Sequence, residues 1–163
     1  MRKKIIALIS ILIIMITAVS CETLKSSARE ITRSYIEQHK PDIRVKKASI
    51  SSITLKDITL TTLVEIKNNL DFEIPIDKLK IELINTSGRT FTIAESVETL
   101  KIPANQARNI NLNFTAKYSD VFTTAFESIK TKTFKCSAKM TITFTIYAMK
   151  FEFPYTKELT FKE

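Results

Sequence analysis

Between Phe134 and Ile146 the chain alternates without a break. Phe134, Cys136, Ala138, Met140, Ile142, Phe144 and Ile146 are separated by Lys135, Ser137, Lys139, Thr141, Thr143 and Thr145. A period of two places successive side chains on opposite faces of an extended strand, so this segment reads as a strand with one face in a core and the other in water. The period recurs along the chain. Ile58, Leu60, Thr62, Val64 and Ile66 alternate with polar positions apart from Leu63, and Leu79, Ile81 and Leu83 follow, then Phe91 and Ile93. Ile110, Leu112, Phe114, Ala116 and Tyr118 form another series, and Met149, Phe151, Phe153 and Tyr155 precede Leu159 and Phe161. With a first strand near Ile43 to Ile53, about seven strands result. The composition agrees, since 24 Ile and 21 Thr make up more than a quarter of the 163 residues and both types are stiff at χ1 and favour strands.

Short alternating strands separated by turn clusters predict an all-β fold, here an antiparallel seven-stranded β-sandwich of the fibronectin or immunoglobulin kind. The turns are Asn68-Asn69-Leu70-Asp71, Asn85-Thr86-Ser87-Gly88 and Pro103-Ala104-Asn105-Gln106. Asn tolerates left-handed backbone and stands in for glycine, of which the chain has one, Gly88. One segment breaks the period. After Ser119, an N-cap, and Asp120 in a first turn, Val121, Phe122, Ala125, Phe126 and Ile129 fall at helical spacing, which predicts one short helix around 119–131.

The N-terminus sets the address. Met1-Arg2-Lys3-Lys4 is followed by an apolar run from Ile5 to Val19 interrupted only by Ser10 and Thr17, the basic head and apolar body of a secretory signal. Ala18-Val19-Ser20-Cys21 resembles the lipobox of bacterial lipoproteins, in which the cysteine sulfur carries a diacylglycerol and the bond before it is cut. Residues 1–20 then form a lipoprotein signal peptide cut between Ser20 and Cys21, with Cys21 the lipid-attachment site. Two or three acyl chains hold a protein on a membrane durably where one does not. The protein is thereby expected in the cell envelope, on the periplasmic face or the cell surface. Removing the three cations of that segment lowers the net charge from +8 to +5. Residues 21–41 read as a polar tether or short helix with Leu24, Ala28, Ile31 and Tyr35 on one stripe, ended by Pro41, and residues 42–163 as the β domain.

Candidate chemistry is sparse. One Gly excludes glycine-rich phosphate loops. One His and two Cys leave nothing for a zinc site or a disulfide framework. His39 lies beside a helix stop as a solvated side chain. Cys136 alternates with core residues and behaves as a small buried hydrophobe. Asp71 and Glu73 read as exposed strand-end carboxylates. Lys135, Lys139, Lys150 and Lys157 lie on outward faces and guard strand edges. Phe134, Phe144, Phe151 and Phe153 fall on the core side, away from these cations, so stacking on nucleic acid is not expected. Asn85-Thr86-Ser87 and Asn113-Phe114-Thr115 match the glycosylation sequon by coincidence. No catalytic residue, metal ligand or cofactor is assigned.

The order Val64-Glu65-Ile66-Lys67-Asn68-Asn69, Ile74-Pro75-Ile76, Leu79, the turn at Gly88, and Ile102-Pro103-Ala104 before the strand Ile110 to Tyr118 resembles the late embryogenesis abundant type 2 family, which overlaps the water stress and hypersensitive response (WHy) domain. Family members have Asn-Pro-Asn where this chain has Asn68-Asn69-Leu70. The resemblance covers roughly residues 43–163. It implies a fibronectin-like sandwich with a helix, a link to stress or desiccation, and no catalytic residue. The expected function is that of a lipid-anchored, non-enzymatic envelope lipoprotein with a structural, interaction or stress-protective role. Its expected partners are the membrane, through acylated Cys21, and an envelope protein or an apolar ligand. The alternative is a carrier or sensor of lipids or other apolar ligands, in which the ten Phe and the helix Val121 to Ile129 line a cavity.

Overall fold

The computed structural model describes residues 26–54, 56–96, 99–117 and 133–162. The chain divides into two compact units, Met1–His39 and Lys40–Glu163. In the first, a helix covers residues 26–38 and ends where the His39 N–H donates to the Tyr35 carbonyl at 3.1 Å, two residues before Pro41. Its apolar stripe differs from the expected one. Ile36 is fully buried while Ile31 is 70% exposed, because few apolar positions on a polar helix leave the covered face undetermined by spacing. No helix among the described residues is long and apolar enough to cross a membrane.

The second unit holds eight strands: β1 (Asp42–Ile53), β2 (Asp57–Lys67), β3 (Ile74–Ile84), β4 (Thr90–Glu95), β5 (Leu100–Ile102), β6 (Ala107–Lys117), β7 (Thr133–Ile146) and β8 (Met149–Lys162). They do not form the antiparallel seven-stranded sandwich expected from the sequence. All belong to one sheet, ordered β4-β3-β7-β8-β1-β2-β6, with β5 also paired to β3. The sheet curls until its end strands meet, and the Thr92 hydroxyl on β4 donates to the Thr115 carbonyl on β6 at 3.0 Å. At β1 and β8 the strands run parallel, joined by the single pair Ser49↔Lys162. The result is a mixed sheet nearly closed into a barrel. The reason for the correction is physical: alternation fixes which residues face inward, and the same inward face serves a sandwich or a barrel. The pairing of the first strand with the last is non-local and leaves no periodic trace. The helix expected around 119–131 lies outside the described residues.

Where alternation was strongest, the faces follow it. Phe134, Cys136, Ala138, Met140, Ile142, Phe144 and Ile146 are all buried, and β7 lies between β3 and β8, with Ile81↔Met140 and Phe144↔Phe151 as partners. β2 lies between β1 and β6, matching Leu60 to Phe114 and Val64 to Ile110. Phe114, Phe144 and Phe161 are among the largest fully buried side chains. Aromatic rings meet one another inside, with Phe144 and Phe151 centroids 5.4 Å apart and Phe134 and Phe161 6.2 Å apart, spacings at which such pairs attract. Register shifts interrupt β1 between Val45 and Lys47 and between Ile50 and Ser52, and β3 between Ile76 and Lys78 and between Leu83 and Ile84. Bulges of this kind raise local twist and let a sheet bend towards closure. In β4 the partners of the inward Leu83 and Ile81 are Thr92 and Ala94. Ala94 is therefore buried, and Ile93, expected to face the core, is 50% exposed.

Candidate functional site

A sheet that almost closes has two places where it fails to, and both are grooves. The first lies between β1 and β8. Ser49↔Lys162 joins the strands at one end, and the Tyr155 hydroxyl donates to the Pro41 carbonyl at the other. Between these pins a cavity of about 380 Å³ opens along Ile43 to Ala48 and Lys157 to Thr160. Its rim is basic, with Arg44, Lys46, Lys47 and Lys157 against Glu158. Lys46 is held by Glu65 at 3.3 Å and Arg44 by Asp42 at 3.8 Å. Pro154 sits in β8 near this border, where a residue without an N–H is tolerated at a strand edge and discourages further pairing. Burial and the nearby Asp42 push the Tyr155 phenol up to about 12, so it keeps its proton and its role as donor.

The second groove, of about 530 Å³, lies where β4 and β5 approach β6. Asn109, Asn111 and Asn113 line it from β6, opposite Ala94, Glu95 and Leu100. Asn113 Oδ1 accepts from the Thr61 hydroxyl at 3.0 Å, so this row lies on the solvent face of the sheet.

The residues singled out in the sequence do not converge on either groove as a reactive set. Ser20 and Cys21, the processing and attachment positions, lie outside the described residues. Cys136 is buried, and burial, with a smaller push from Glu158, raises its thiol to about 12. A thiol so protonated is a poor nucleophile. His39 is exposed at the helix end, its Nδ1 3.0 Å from the Tyr35 carbonyl and its ring 4.5 Å from that of Tyr35. Glu73 lies 3.7 Å from Lys101, and both Asp71 and Glu73 are exposed. Lys150 pairs with Glu152 at 2.6 Å, which lowers the Glu152 carboxyl below its ordinary range. Lys135 and Lys139 point outward from β7, which is flanked on both sides. They solvate the face of an interior strand instead of guarding an edge; Lys157 is on an edge, at the β1–β8 groove. Among the described residues no group of three or more His, Cys, Asp or Glu can hold a metal ion.

Two asparagines do more than their turn positions suggested. Asn68 Nδ2 lies 2.7 Å from the Phe72 carbonyl, 3.0 Å from that of Ile102 and 3.1 Å from that of Pro103, while its Oδ1 accepts from the Leu70 N–H at 2.9 Å. It ties the β2–β3 turn to the β5–β6 turn. Asn85, the first sequon residue, is 7% exposed, and its Oδ1 accepts from the N–H groups of Ser87 and Arg89. That oxygen holds the turn, while the Nδ2 is buried without a hydrogen-bond partner. The turn Tyr147-Ala148, by contrast, carries none of the residues that mark turns.

No protein-family model matches the chain. No curated protein matches it either. Among solved structures, 38 chains match. A protein from Archaeoglobus fulgidus shares 11% identity over 75% of this chain and 95% of its own, with a TM-score of 0.52. A protein from Arabidopsis thaliana, solved in solution, shares 14% identity over 75% of this chain and 84% of its own, with a TM-score of 0.54. At such identities the likeness is one of fold: the β unit has an architecture found from archaea to plants.

Proposed function

We propose that this is a lipid-anchored, non-enzymatic protein of the cell envelope whose β unit works by contact, in a structural, interaction or stress-protective role of the kind associated with late embryogenesis abundant type 2 and WHy domains. The observation that carries the non-catalytic reading is the dispersal of polar chemistry. The one described thiol is buried in the core, the one imidazole lies at a helix end, and the exposed carboxylates in ion pairs face lysines or Arg44 on the surface. Support for the family comes from the order of the motifs between Val64 and Tyr118 and from a fold shared with a plant protein. Support for the anchor comes from the basic head, the apolar run and Ala18-Val19-Ser20-Cys21.

Metabolic labelling with a fatty-acid analogue tests the anchor. The wild-type protein is expected to take up label and partition with membranes, and Cys21→Ala to lose both; label that survives the substitution removes Cys21 from the proposal. Native mass spectrometry of a Cys21→Ser protein tests the role. A ligand-free mass supports action by contact, because Phe114, Phe144, Phe161 and their neighbours are buried in the described interior and close packing is the default for a core. A stoichiometric co-purified lipid would replace it with the carrier reading.

A further inference from the structure

Ile146 pairs with Met149, leaving Tyr147 and Ala148 as a two-residue loop between β7 and β8. Both have positive φ, 50° and 60°, the pattern of a type I′ turn. Such turns favour Asn-Gly, because a Cβ at positive φ crowds the neighbouring carbonyl. This hairpin places a tyrosine there, and its side chain is 80% exposed. A large aromatic in water, at a position where a smaller residue would fold more easily, points to use outside the fold.

The second observation is where the tip lies. The Tyr155 hydroxyl bonds the Pro41 carbonyl and Ser49 pairs in parallel with Lys162, so β8 beside Tyr155 is level with the start of β1. The six-residue step from Tyr155 back to Met149 carries the hairpin roughly 20 Å beyond that point at about 3.3 Å per residue. The tip thus lies beyond the start of β1, where Lys40 enters, and level with the start of β3, since Ile76 pairs with Phe144. Tyrosine suits a boundary between water and lipid, since its ring is apolar and its hydroxyl keeps hydrogen bonds with headgroups. Partly exposed Met149 and exposed Lys150 continue from it along β8.

We infer that the Tyr147 hairpin tip seats in the headgroup layer of the membrane to which Cys21 is anchored, giving the protein a second bilayer contact that sets its orientation. This rests on the proposed acylation of Cys21. The chain contains no Trp, so Tyr147→Trp in the full-length protein supplies a single reporter. The lipidated variant is reconstituted in phosphatidylethanolamine and phosphatidylglycerol vesicles containing brominated-chain phosphatidylcholine, and the mass of the N-terminal peptide reports acylation. The expected result is emission blue-shifted relative to the detergent-free Cys21→Ser form of the same variant, with quenching by bromines placed high on the chain. On wild-type protein, amide exchange at residues 147–150 is expected to slow on the bilayer, and a protein carrying Tyr147→Asn with Ala148→Gly to lose that slowing. An acylated protein with water-like emission and unslowed exchange overturns the hairpin contact while leaving the anchor intact; an unmodified Cys21 overturns both.

Discussion

Cys136 and Thr62 show how a single buried atom turns into a measurable property. The Cys136 thiol keeps its proton to about 12 in the folded protein against an ordinary value of 9.0. Between those values an unfolded chain binds fewer protons than the folded one, so stability falls as pH rises through that window. Tyr155, raised from 10.0 to about 12, contributes in the same direction. Cys136→Ala should leave the Tyr155 contribution and flatten the decline in unfolding free energy between about pH 9 and 11, as read by urea titration at several pH values; an unchanged slope would place the titration elsewhere. Thr62 faces the core on β2, fully buried, with no hydrogen-bond partner for its hydroxyl. An unsatisfied buried hydroxyl costs about 1–3 kcal/mol, and replacing it with a methyl of the same shape removes that penalty. Thr62→Val is therefore expected to raise the unfolding free energy by about 1 kcal/mol, and a decrease would mean that the hydroxyl has a partner. The inward direction of both residues was legible from their place in an alternating series. The environment that shifts the thiol or strands the hydroxyl was not, because it is made by side chains from other strands.

The β7–β8 hairpin is the element in which local and global preferences conflict most plainly. Thirteen consecutive alternating positions, Phe134 to Ile146, commit β7 to a strand, and the alternation of Met149, Phe151 and Phe153 commits β8. Only two residues remain for the reversal, and neither favours left-handed geometry. Pairing along the whole of both strands holds Tyr147 and Ala148 at positive φ. Relieving them should show directly in stability. The combined Tyr147→Asn and Ala148→Gly change is expected to raise the unfolding free energy by about 1–2 kcal/mol, judged from the cost of left-handed backbone per residue, and its thermal midpoint should rise accordingly. A drop would mean that the tyrosine contributes to the fold, contrary to its exposure. The same reasoning explains which turns the sequence disclosed. Gly88 at φ 79° and Asn105 at φ 57° are residues whose chemistry signals a turn, whereas the Tyr147 turn is imposed by its strands. It also explains why β5 leaves no trace in the sequence: three residues, Leu100–Ile102, are too few to show a period.

At the scale of the whole β unit, the question is where a curled sheet is weakest. Antiparallel ladders join β3, β7 and β8 on one side and β1, β2 and β6 on the other, and each is zipped along most of its length. The two halves are joined across β1 and β8 by one residue pair and the Tyr155 bond to Pro41. Backbone groups along Ile43 to Ala48 and Lys157 to Thr160 border an open groove, where water can reach them. Opening there breaks few bonds, and local opening follows the sparsest set of contacts. Tyr155→Phe isolates the pin nearest the tether, because it deletes the donor and keeps the ring. One hydrogen bond is worth about 1 kcal/mol net, and 1.4 kcal/mol is a factor of ten in an equilibrium. The amides hydrogen-bonded across the Ser49↔Lys162 bridge, which exchange only when the seam opens, should therefore exchange roughly five- to tenfold faster in the variant, while those between β3 and β7 keep their rates. Hydrogen exchange resolved by residue reads both in one experiment. If the rates rise together on every strand, the seam opens only when the whole unit unfolds, and the groove is part of a single cooperative barrel.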